Sequence, residues 1–151
     1  MAFPTYGDAL PHDLVHVVVE AAFGVRRGIW ARVDAGLELA RVNAAANRSH
    51  GTLREKYAGF GPDLDDVLVS EALAEGHAPD ASIDDEVCVA RIASACARYG
   101  VALPGTVTPR RVGESRAALA RLRATWRTLV PKGAIDLELD PRDPEKSFAA
   151  M

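Results

Sequence analysis

Four polar side chains interrupt an otherwise apolar stretch near the start of the chain: His12, Asp13, His16 and Glu20. Every other position from Leu14 to Phe23 is apolar. Successive residues of an α-helix lie about 100° apart, so His12, His16 and Glu20 follow one another at about 40°, and Asp13 falls within the same arc of about 100°. Two histidines four residues apart place their imidazoles on one helix face, close enough to grip one metal ion. Glu20 extends that line and offers a third ligand, with Glu38, His50 and His77 as rivals. A divalent transition metal such as zinc, held by three protein ligands with an open fourth position, brings the pKa of a bound water to about 7. Asp13 is then placed as proton acceptor, the role glutamate takes in H-E-x-x-H motifs. The line H-x-x-x-H-x-x-x-E thus reads as a metal site and, with Asp13, as the core of a metal-dependent hydrolase. The plainer reading is the narrow wet face of a central helix.

The elements that must carry these groups are helical. Pro11 suits the first position of a helix and Gly24 its C-terminal cap, which brackets the apolar run. The β-branched Val15, Val17, Val18 and Val19 would also suit a strand, but length and flanking residues decide for helix. Gly28 to about Asn47 reads as a second helix, with Ile29, Trp30, Val33, Leu37, Ala40 and Ala44 three or four apart. Gly36 lies inside that run and weakens it. Arg48–Pro62, with three glycines, reads as a long loop that has room for one helical turn. Asp63–Glu75 is a third helix. Ser82 opens S-x-x-D, a variant of the capping pattern, before a fourth that ends at Gly100. Thr108-Pro109 is a cap followed by a first-turn proline, opening a last helix to about Val130. Ile135-Asp136-Leu137-Glu138-Leu139 alternates with period two and reads as a short strand. Residues 140–151 form a polar tail. The expected fold is therefore mainly α: one domain over 1–151, a four- to five-helix bundle with a small C-terminal β element and the first helix at its centre.

Charge is divided unevenly along this frame. From Tyr57 to Ala90 there are nine acidic residues and no lysine or arginine. The last helix carries Arg110, Arg111, Arg116, Arg121, Arg123 and Arg127 against Glu114 alone. One reading is mutual compensation inside the fold. The other makes Arg116, Arg123 and Arg127 a docking face for an acidic protein partner. Nucleic acid would call for a basic domain or a recognition motif, and the net charge is −3. On composition alone, the leading expectation is a cytoplasmic helical module that binds a partner through charged helix faces. The metal site is the alternative.

Several classes are excluded by pattern. No stretch approaches the roughly 20 apolar residues of a membrane span. The first thirteen residues have neither a basic n-region nor an apolar h-region, so no signal peptide is expected. Cys88 and Cys96 lie eight apart on one helical pattern, about 12 Å along the axis, too far for a disulfide. Their spacing fits no zinc finger. No glycine pattern for nucleotide phosphates and no nucleophile elbow is present. Trp30 and Trp126 sit on apolar helical faces and are expected in the core.

The segment LPHDLVHVVVEAAFGVRRGIWARVDAG resembles a family of small actinobacterial proteins that share an LPHDLVHxVVE opening, then FG, then GIW. TWRTLVPKGAIDLEL resembles the closing pattern of the same family. The resemblance spans about the first third and last fifth of the chain, and it brings no established activity with it. It implies a β segment ahead of the motif, where this chain has ten residues. It also implies that His12, Asp13, His16, Glu20 and Trp30 belong to one structural unit.

Overall fold

The computed structural model of the chain describes residues 10–38, 50–77 and 82–129, and among them it is a helical bundle without strands. The helices are α1 (His12–Phe23), α2 (Ile29–Asp34), α3 (Leu53–Lys56), α4 (Leu64–Gly76), α5 (Asp85–Tyr99) and α6 (Pro109–Thr128), with a 3-10 segment over Ala58–Asp63 before α4. The expected strand at 135–139 and the tail 140–151 lie outside the described residues. No helix among the described residues is long and apolar enough to cross a membrane.

The four long helices close into a ring: α1 packs on α4, α4 on α5, α5 on α6, and α6 back on α1. The shared core takes Leu14, Val18 and Val19 from α1, Leu73 from α4, Ile92 from α5, and Val112, Leu119 and Trp126 from α6. Cys88 and Cys96 are buried, unlinked members of this core. A second, smaller cluster joins Ile29 of α2 to Tyr57, Val67 and Leu68, with Trp30 packed partly buried against it. That cluster holds the α2–α3 side of the molecule against α4, next to the polar line of α1.

Helix ends follow local chemistry, with three departures from the sequence reading. Pro11 stands at the N-cap of α1, one place before the helix, not inside it. Asp84, not Ser82, caps α5, its carboxylate accepting from the Val87 N–H at 2.8 Å. The second helix is much shorter than expected and ends at Asp34. Gly36 turns the chain at φ 99°, its N–H bonding the Val33 carbonyl at 3.0 Å while the Leu37 N–H bonds Arg32 at 2.8 Å. That pair of bonds is a Schellman stop. Gly36 is thus the terminator of α2 and not a weak point within it; 39–47 lie outside the described residues. Over 50–62 the helical turn allowed for in the loop is α3, and the 3-10 segment follows it. Thr52 and Glu55 form a capping box that starts α3.

Candidate metal centre

His12 and His16 do share one face of α1. Their rings meet edge to face with centroids 4.7 Å apart, and the two Nε2 atoms are separated by 3.1 Å. His12 is exposed and His16 buried, so the pair reaches from solvent into the bundle. The acidic partner, however, comes from α4. Oε2 of Glu71 lies 3.7 Å from Nε2 of His16, and ligand atoms of His12, His16 and Glu71 all fall within 4.8 Å of one another. A tetrahedral zinc ion with bonds of about 2.0–2.1 Å sets its ligand atoms about 3.3 Å apart. The separations of 3.1 and 3.7 Å bracket that figure.

Burial keeps His16 in the form that binds cations, and works against the ionised form of Glu71. Loss of solvent, with the charge of His12 second, lowers the His16 pKa to about 3, so its imidazole is neutral with a free lone pair. Burial also raises the Glu71 pKa, against the hydroxyl of Tyr57 and the charge of His12, which lower it. Tyr57 donates to Oε1 of Glu71 at 2.8 Å, which leaves Oε2 facing His16. Burial first, and then the charge of Glu71, holds the Tyr57 phenol well above its ordinary pKa, so it stays a donor.

Glu20 is placed differently from a ligand. Its side chain is buried and turns to the start of α2, where Oε2 accepts from the backbone N–H of Trp30 at 3.0 Å and of Ala31 at 3.2 Å. Its Oε1 accepts from the hydroxyl of Ser70 at 2.7 Å, and Ser70 Oγ lies 2.9 Å from Nδ1 of His16. The line of polar residues on α1 therefore splits: His12 and His16 converge with Glu71, while Glu20 stands behind them as a cap and support. Asp13 is exposed, and its charge is felt at both Glu71 and Tyr57. Glu38 and His50 are exposed and stand outside the cluster. His77 is buried elsewhere, with Nδ1 donating to the Leu73 carbonyl at 2.7 Å and Nε2 2.6 Å from Ser115 Oγ.

Glu71, Ser70 and Tyr57 were not among the expected site residues. A local signal exists for Ser70 alone. Ser70 falls three positions after Val67 and three before Leu73, two residues with no exposed surface, so a polar side chain occupies the buried stripe of α4 beside Glu71.

Much of the acidic charge is met by arginines within the fold. The acidic stretch is met by arginines from other elements: Arg27 and Arg32 at Asp63, Arg54 at Asp65, and Arg98 at Glu75. From α6, Arg116 binds Asp85 at 2.5 Å and the Ile83 carbonyl at 2.7 Å. Arg123 is half-buried beside Arg127, and burial followed by that neighbouring charge lowers its pKa.

Comparison with known proteins adds nothing to this geometry: no family model matches the chain, and no curated protein or solved structure is significantly similar to it.

Proposed function

We propose that this protein binds a divalent transition metal, with zinc as the type case, through Nε2 of His12, Nε2 of His16 and Oε2 of Glu71. The observation that carries the reading is the convergence of ligand atoms of His12, His16 and Glu71 within 4.8 Å of one another, while the other polar atom of His16 and of Glu71 is already held. Oε1 of Glu71 takes the Tyr57 hydroxyl and Nδ1 of His16 faces Ser70. Ligands tied in this way by outer groups are the usual build of metal sites. Two nitrogens and one carboxylate oxygen suit zinc or a neighbouring first-row ion better than calcium or magnesium, which prefer all-oxygen sets.

Three ligands leave the fourth position of a tetrahedral ion for water, on the side where His12 is exposed. Hydrolysis is the chemistry such a water supports, with Asp13 on the same exposed turn as the group to take its proton. The docking reading for Arg116, Arg123 and Arg127 has less behind it, since Arg116 is engaged by Asp85 and Ile83. A reducing, cytoplasmic setting is part of the same proposal and accords with two buried free thiols.

Elemental analysis of protein prepared without an affinity tag, followed by zinc titration calorimetry, is the test. One equivalent of metal in the parent, lost in both His16→Ala and Glu71→Gln, is the expected result. A parent that carries no stoichiometric metal and takes up no zinc at micromolar concentration overturns the proposal.

A further inference from the structure

We propose that Glu20 is a positioning residue that, through the hydroxyl of Ser70, fixes His16 as the Nδ1–H tautomer and so aims its Nε2 lone pair at the metal position. The metal half of this inference rests on the function proposed above; the tautomer half does not.

The chain of hydrogen bonds has one consistent direction when Glu20 is ionised. A carboxylate can only accept, so the single hydroxyl hydrogen of Ser70 must go to Oε1 of Glu20, across 2.7 Å. Ser70 then has only lone pairs left for the imidazole. Nδ1 of His16, 2.9 Å away, must carry the proton to make that contact. A neutral imidazole has one N–H, so Nε2 is left bare. It is this atom that faces His12 and Glu71. In the opposite tautomer an N–H would stand where the cation has to be.

The orientation of Glu20 is set independently of the histidine. Two backbone N–H groups of α2, those of Trp30 and Ala31, hold Oε2, which turns Oε1 toward Ser70. Gly28 makes room for the carboxylate, since a Cβ there would stand 2.4 Å from its Cδ. The first turn of α2, a serine of α4 and a histidine of α1 are thereby linked in one line, and the tautomer of the ligand is written by a residue that is not itself a ligand.

Glu20→Gln reverses the line without removing it. The two N–H groups of α2 require an acceptor, so the amide oxygen takes the seat of Oε2 and the amide NH2 that of Oε1. The NH2 donates to Ser70, the hydroxyl hydrogen of Ser70 turns to Nδ1 of His16, and the imidazole proton passes to Nε2. The test is nitrogen-15 NMR of histidine-labelled, metal-free full chain at pH 8, above the value of about 7 to which burial raises Glu20. The parent is expected to show His16 protonated at Nδ1, and Glu20→Gln is expected to show it protonated at Nε2, with zinc affinity down 10- to 100-fold. Ser70→Ala, which cuts the line, is expected to give a mixture of tautomers and guards against a glutamine variant that fails to fold. A parent protonated at Nε2, or a His16 tautomer unchanged in both variants, overturns the inference. Tautomers that respond as described in a protein that takes up no zinc uphold the hydrogen-bond line and overturn the metal reading alone.

Discussion

The hydroxyl of Tyr57 donates to Oε1 of Glu71 at 2.8 Å, and so leaves Oε2 as the carboxylate oxygen that His16 of α1 meets. Tyr57 lies just ahead of the 3-10 segment and is buried, its ring packed edge to face on Phe60 with centroids 5.6 Å apart. The contact therefore joins the small cluster around α2 and α3 to the candidate metal centre. It also lowers the cost of keeping Glu71 ionised inside the fold.

Tyr57→Phe keeps the ring and removes only the hydroxyl. Glu71 then loses a neutral donor to a largely buried carboxylate, a bond worth roughly 1.5–3 kcal/mol when one partner is charged. Part of that loss is recovered by protonation of Glu71, whose pKa burial already raises. The expected outcome is a drop in stability of about 1 kcal/mol in urea titration and zinc binding about 10-fold weaker by calorimetry. Unaltered zinc affinity at pH 7 would remove Tyr57 from the site.

Gly28→Ala tests the seat of Glu20. Gly28 has φ −68° and ψ −173°, which alanine adopts freely, so backbone strain is not at issue. The new methyl would instead meet the Glu20 carboxylate, with Cδ at 2.4 Å and both oxygens within 2.7 Å. Overpacking of that kind costs about 1–3 kcal/mol, and displacement of Glu20 from the α2 N–H groups adds a lost cap of about 1 kcal/mol. Gly59→Ala is the control, because nothing lies within 4 Å of a Cβ there. Equal stability of the two variants by thermal unfolding would show that Glu20 has room to move.

The sequence pattern displays α1 well and the partners of its side chains only in part. Pro11, Gly24 and an apolar circumference broken by one polar line are local features, and the helix with its two aligned imidazoles follows from them. Glu20 continues the same line, yet its side chain belongs to Trp30 and Ala31, because the N-terminus of α2 folds back over it. Spacing along one helix does not tell which neighbouring element a side chain will meet. Glu71 is 55 positions from His16, and only the packing of α4 against α1 brings them together. Gly36 shows the same difficulty at short range. One glycine in a helical pattern reads equally as a weak point or a stop, and here the bonds from Gly36 and Leu37 to the preceding turn settle it as a stop. The arginine-rich helix invited a docking role, while Arg116 is fastened to the first turn of α5.

Acid is expected to unfold this protein through its two buried histidines. Burial lowers His16 to about 3 and His77 to about 4, against 6.5 in the unfolded chain. The unfolded state therefore binds more protons at these sites between those values and 6.5. Their contribution to stability is complete above pH 6.5 and is lost as pH falls toward 4 and then 3. Glu20 acts in the opposite sense. Its folded pKa of about 7 exceeds the unfolded 4.5, so the native state holds the extra proton in that window and gains stability as pH drops through it. Glu71, also raised by burial, works with Glu20. Two histidines against Glu20 leave a net slope of roughly 1 kcal/mol per pH unit near pH 6, with stability falling toward acid. Near pH 6 an unfolded histidine is about three-quarters protonated, so replacing His77 by Gln removes about 1 kcal/mol per pH unit and should nearly flatten the profile. Urea midpoints between pH 5.5 and 7 for the metal-free parent and His77→Gln measure this directly. Parallel profiles for the two proteins would mean that His77 takes up its proton in the folded state, against the burial that lowers it.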